Sequence, residues 1–99
     1  MSVTLCCLLW AREGLADDLS RYEDGVLALL AEHGAGVTSR VRALGRDATT
    51  PTEVQVIEFA DRAGLDAYLG DPRRTARADE RDRVVARTEL FEVEPRPLR

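Results

Sequence analysis

The stretch VTLCCLLW, residues 3–10, constrains the fold more than any other part of the chain. In an extended strand it sends Val3, Leu5, Cys7 and Leu9 to one face and Cys6, Leu8 and Trp10 to the other, so both faces are apolar. A small antiparallel sheet covers one face with its own helices. The other face then needs a second cover, and another copy of the chain is the simplest one. At 99 residues the chain leaves much of its surface exposed when it folds alone, which makes a homodimer formed through sheet faces the natural expectation. With 44% hydrophobic and 32% charged residues, the composition fits one globular domain over residues 1–99 and excludes a disordered chain.

The formal net charge of -4 argues against nucleic acid as a partner, since phosphate binding gathers a basic surface. VTLCCLLWA is too short to cross a bilayer and has no positively charged start, so a cytoplasmic protein without membrane attachment is expected. Cys6 and Cys7 leave a strand on opposite sides and cannot bridge each other. A single histidine completes no zinc spacing, so no metal is expected and both thiols read as small buried hydrophobes. All fourteen basic residues are arginine, which biased base composition explains. Arg73, Arg74, Arg77, Arg81, Arg83 and Arg87 alternate with Asp71, Asp79, Glu80 and Asp82, the pattern of a solvated, pair-rich helix face.

After the first strand, Leu15, Leu19, Tyr22, Val26, Leu29 or Leu30, and His33 recur at helical spacing. They predict a helix over residues 15–33 that stops at Gly34 or Gly36. Residues 36–47 alternate imperfectly, as an edge strand does. In TEVQVIEFA, 52–60, Val54, Val56 and Glu58 share one face and Glu53, Gln55, Ile57 and Phe59 the other; the two strands form a hairpin. Asp61 is an N-cap for a helix through Leu65, Tyr68 and Leu69. Asp71-Pro72 starts a second segment, so the helix is bent or broken and runs to about residue 83. Strand composition returns over 84–93. The order strand, helix, strand, strand, helix, strand predicts an α+β, ferredoxin-like fold: a four-stranded antiparallel sheet with the helices on one face.

YEDGVLALLAEHGAGVTSRVRA and PTEVQVIEFADRAGLDAYLGDPRRTA resemble the dimeric α/β-barrel proteins of the DUF1330 family, in the wider group of antibiotic-biosynthesis monooxygenase and EthD-like domains. Matching positions are the turn His33, Gly34, Ala35, the strand end Ile57, Glu58, Phe59, and the segment Tyr68 to Pro72. Ala35 replaces a second glycine of that turn, and Tyr68 stands where a tryptophan occurs in some members. The resemblance implies two sheets face to face and a pocket between each sheet and its helices. It also allows cofactor-independent chemistry on a small hydrophobic molecule, of cyclase, isomerase or monooxygenase type, and equally a non-catalytic binding or assembly protein.

His33 is the candidate catalytic acid or base, because an imidazole titrates near neutral pH; a residue that ends a helix explains it as well. Glu58 is the second catalytic candidate. It alternates with Val54 and Val56, which would desolvate it, and an ion pair with Arg40 or Arg42 across the hairpin is the alternative. Tyr22, Trp10 and Tyr68 are candidate substrate-binding walls, and Arg40 a substrate-binding cation. No Gly-rich phosphate loop or nucleophile elbow is present, so no nucleotide or other organic cofactor is expected.

Overall fold

In the computed structural model, residues 2–45 and 47–98 are described. The apolar opening stretch forms β1 (Val3–Ala11), followed by α1 (Ala16–Leu27), a 3-10 turn at Leu30–His33, and the strands β2 (Ala35–Arg42) and β3 (Glu53–Phe59). Three short helices come next, α2 (Arg62–Leu69), α3 (Pro72–Thr75) and α4 (Ala78–Val84), and β4 (Val85–Val93) completes the sheet. The strands lie in the order β2-β3-β1-β4, every pair antiparallel, so the helices of a βαββαβ chain fall on one face. This is the ferredoxin-like arrangement expected from the sequence. The sheet is open and does not close on itself.

Register divides the two faces of the sheet. Leu5 opposes Ile57, Cys7 opposes Gln55 and Leu90, and Leu9 opposes Glu53 and Thr88, all beneath the helices. On the other side Cys6 opposes Val56 and Phe91, Leu8 opposes Val54, and Val41 extends the row across Val54. Thr38 is the extra residue of a bulge, which leaves Val37 opposite Ile57 but turns Ser39 and Val41 outward; this accounts for the imperfect alternation of β2.

The helix-covered core falls into two clusters. One gathers Val3, Leu5, Leu30, Ile57, Phe59, Leu65 and Tyr68, and the other Cys7, Leu9, Leu19, Tyr22, Val26, Val84 and Val85. Each fully buried aliphatic or aromatic side chain contributes roughly 1.5–3 kcal/mol relative to exposure.

The first helix is shorter than its apolar stripe predicts, ending at Leu27 instead of His33. The carbonyl of Val26 accepts both the Tyr68 hydroxyl at 3.2 Å and the Leu29 N–H at 3.2 Å, so the chain tightens to three-residue spacing there. Gly34 then leaves in the left-handed region at φ 67°. The second helical segment breaks as expected. Asp61 caps α2 by accepting the Gly64 N–H at 2.8 Å, and Asp71 caps α3 by accepting the Arg73 N–H at 2.9 Å, with Pro72 in the first turn.

Candidate functional site

A cavity of about 220 Å³ lies between the helices and the covered face of the sheet. Its apolar walls include Leu5, Leu9, Val26, Ile57, Phe59 and Leu65, so it touches both core clusters. Tyr68 on α2 forms another wall, its ring 5.9 Å from that of Phe59.

Polar groups enter from three directions. Glu23 lies in the apolar stripe of α1, between Leu19 and Val26, and is buried. Gln55, 1% exposed, donates from Nε2 to Glu23 Oε1 at 2.8 Å and to Glu53 Oε2 at 2.6 Å. Glu53, 2% exposed, is neutralised from behind: Arg40 Nε donates to its Oε2 at 2.8 Å and the Ser20 hydroxyl to its Oε1 at 3.0 Å. Arg40 also donates to Asp24 at 2.6 Å and to the Ser20 carbonyl at 3.0 Å.

The result is a chain of hydrogen bonds from the edge strand β2 to the cavity, ending on Glu23. Burial pushes the Glu23 carboxyl above its ordinary range and the nearby Glu53 charge adds to this, opposed by the Gln55 hydrogen bond and the Arg40 and Arg74 charges. Such a group holds a proton at pH values where an exposed glutamate has lost it.

Arg74 from α3 and Arg81 from α4 face the same space. The Arg74 guanidinium lies 5.0 Å from the centre of the Tyr68 ring, and its Nε is buried without a hydrogen-bond partner. Arg81 donates to the Thr88 hydroxyl at 2.8 Å. Cys7 is unbridged on the cavity floor, its thiol pushed up to about 12 chiefly by burial. Among the described residues, no three His, Cys, Asp or Glu side chains are grouped to hold a metal ion. No helix among them is long and apolar enough to cross a membrane.

The residues singled out in the sequence are spread over three places. Tyr68 lines the cavity, and Arg40 stands behind it, three hydrogen bonds from Glu23 through Glu53 and Gln55. Tyr22 is packed in the second core cluster, with the Arg77 guanidinium 5.0 Å above its ring. His33 lies outside the cavity lining. Its Nε2–H donates to Asp71 Oδ2 at 2.8 Å, and its ring meets Tyr68 edge-on at 6.1 Å. Asp71 is buried and also holds Arg73; Arg73 and then His33 keep its carboxyl well below the usual range.

Trp10 and Glu58 lie on the other face of the sheet. Trp10 is covered by the Arg87 guanidinium at 4.5 Å, opposite it on β4. The expected desolvation of Glu58 is not observed: the face it shares with Val54 and Val56 is turned away from the helices, and Glu58 is exposed. Neither hairpin arginine reaches it, since Arg40 pairs with Glu53 and Asp24 and Arg42 with Asp17. The desolvated carboxyl is Glu23.

A further correction concerns the arginine-rich run. Arg73, Arg77, Arg83 and Arg87 pair with carboxylates as a solvated face should, but Arg74 and Arg81 turn inward to the cavity.

Together these features define an α+β domain of ferredoxin-like architecture with a mostly apolar cavity under its helices and a polar seam at one side. No protein-family model and no curated protein matches the chain. Solved structures do. A Rhodopseudomonas palustris protein of unknown function is similar over 98% of this chain and 84% of its own, at 15% identity and TM-score 0.78. A candidate antibiotic biosynthesis monooxygenase from Bacteroides thetaiotaomicron is similar over 95% and 89%, at 14% identity and TM-score 0.73. A dimeric ferredoxin-like protein of unknown function from Thermobifida fusca is similar over 94% and 90%, at 16% identity and TM-score 0.68. At such identities these likenesses establish the fold.

Proposed function

We propose that the chain is a homodimer that binds a small, mainly apolar organic molecule in the cavity, and that it is a cofactor-independent enzyme moving a proton at Glu23. The observation carrying this reading is the placement of a desolvated carboxyl group, oriented by Gln55, beside an otherwise apolar cavity. A carboxyl whose hold on its proton is strengthened by burial is suited to protonate a developing enol or alkoxide oxygen and, once ionised, to remove a proton from carbon. Cyclisations and isomerisations that pass through an enol use this exchange. The resemblance of the His33 turn and the Ile57-Glu58-Phe59 strand end to DUF1330 proteins supports the dimeric, small-molecule-binding part of this reading.

The uncovered sheet face supports the dimer. Val41 and Phe91 are exposed on it beside the half-buried Cys6, Leu8, Val54 and Val56, a patch that a second copy would cover. The dimeric description of the Thermobifida fusca neighbour agrees with this.

The test begins with compounds that raise the melting temperature of the wild-type protein. Leu90, on the cavity side of β4 and partly exposed, can be enlarged without opening the core. Leu90→Trp should abolish binding, and unchanged binding would refute the cavity assignment. Glu23→Gln should retain binding but lose exchange of ligand C–H protons with deuterated water, followed by NMR. Equal exchange in both proteins would leave a binding protein without proton transfer.

A further inference from the structure

Charge inside the cavity is unbalanced. Among the described residues, every arginine except Arg12, Arg74 and Arg81 lies within ion-pair distance of a carboxylate. Arg12 spends its Nε–H on the Asp82 carbonyl at the surface. The other two line the cavity, where the partners in view are the Tyr68 ring and the Thr88 hydroxyl. The remaining titratable groups facing them are Cys7, Tyr22, Glu23 and Tyr68, and burial favours the neutral form of each. Glu53 does not help either, because Arg40 already pairs with it. Two guanidinium groups therefore face a largely apolar space with no carboxylate at ion-pair distance, and one keeps a buried N–H unsatisfied.

We infer that the ligand is a small organic carboxylate, its apolar body against Leu5, Ile57, Phe59 and Leu65 and its charge at Arg74 and Arg81. Guanidinium is suited to this task, since its planar fork matches a carboxylate in geometry and stays charged at any physiological pH. The cavity volume of about 220 Å³ lies below the ~300–1,000 Å³ of drug-sized pockets, which limits the ligand to about one or two rings or a short chain. The carboxylate would also place its neighbouring carbon within the same enclosure as Glu23. This inference rests on the cavity reading above and adds the sign of the ligand's charge to it.

The experiment compares two probes of equal shape, 2-naphthoate and 2-naphthamide, titrated calorimetrically against the wild-type protein, Arg74→Gln/Arg81→Gln and Arg74→Lys/Arg81→Lys. The wild type should bind the acid about tenfold or more tightly than the amide, the scale of one charge-assisted hydrogen bond. The glutamine variant should bind both within about twofold of each other, and the lysine variant should keep a preference for the acid that weakens with added salt. Binding of the amide by the glutamine variant shows that it is folded.

Equal wild-type affinity for the two probes would overturn the carboxylate assignment and leave the cavity reading intact, as would a preference that survives in the glutamine variant. Binding of neither probe by the wild type would overturn the carboxylate assignment. Unaltered binding in Leu90→Trp would overturn both readings together.

Discussion

Replacing Gly64 by alanine sets two effects of opposite sign against each other. Gly64 lies in the first turn of α2, where alanine in place of glycine stabilises an isolated helix by roughly 1 kcal/mol. In the folded chain an added Cβ would stand 2.5 Å from the carbonyl oxygen of His33. Carbon and oxygen in contact sit at about 3.3 Å or beyond, so α2 or the His33 turn must move by the difference, about 0.8 Å.

Neither side yields easily. The oxygen belongs to the backbone just before the left-handed Gly34, and the helix start is held by the Asp61 cap. Overpacking of this size costs roughly 1–3 kcal/mol, which equals the gain in helix propensity at its lower end and exceeds it above that. Urea unfolding followed by circular dichroism should therefore show Gly64→Ala less stable by up to about 2 kcal/mol, a fall in melting temperature of up to roughly 15 °C for a domain of this size. Exposed Ala63 on the same helix is the control, since Ala63→Gly should lose only about 0.5–1 kcal/mol through propensity. A Gly64→Ala protein more stable than wild type by the full ~1 kcal/mol of helix propensity would refute the close approach of α2 to the His33 turn.

Two other outcomes follow from the site and the sheet. Because burial raises the Glu23 carboxyl above its unfolded value, its contribution to stability is complete below pH ~4.3 and is lost as pH rises through the higher folded value. Glu23→Gln removes that loss, so urea-unfolding free energies at pH 5 and pH 8 should fall less with pH in the variant; parallel curves would contradict the desolvation of Glu23. On the uncovered sheet face, Phe91 is 45% exposed. Phe91→Glu should convert a wild-type dimer to an 11.0 kDa monomer in sedimentation at micromolar concentration, and a wild-type monomer under the same conditions would refute the dimer.

Fold and site differed in how far local pattern could reveal them. The two apolar faces of residues 3–10, the order of elements, and the caps at Asp61 and Asp71 all depend on neighbours in sequence, and each is found where its pattern placed it. The early end of α1 depends on a hydroxyl from Tyr68, 42 residues away, which no helical periodicity can register.

The site had a visible signal that pointed elsewhere. Glu53 and Gln55 share a face with Ile57 and Phe59, and Glu23 lies within a stripe that includes Leu19 and Val26, so polar groups on core-facing positions were legible in principle. Strand β3 has apolar residues on both faces, however, and only pairing with β1 decides which one meets the helices. Arg74 and Arg81 were hidden for a different reason. The helical run breaks between Thr75 and Ala78, so a single helical wheel through the arginines mixes residues that point to solvent with residues that point to the cavity.

The division of the core into two clusters with a cavity between them has a mechanical meaning as well. Strand β1 runs through both halves, but on its helix side the packing is interrupted where the cavity lies. The helix layer therefore has a built-in seam between the α1 and α2 sides, crossed by the Tyr68–Val26 hydrogen bond instead of by one continuous buried cluster. A guest seated there would take the place of the missing side chains and fasten the two halves into one cooperative body.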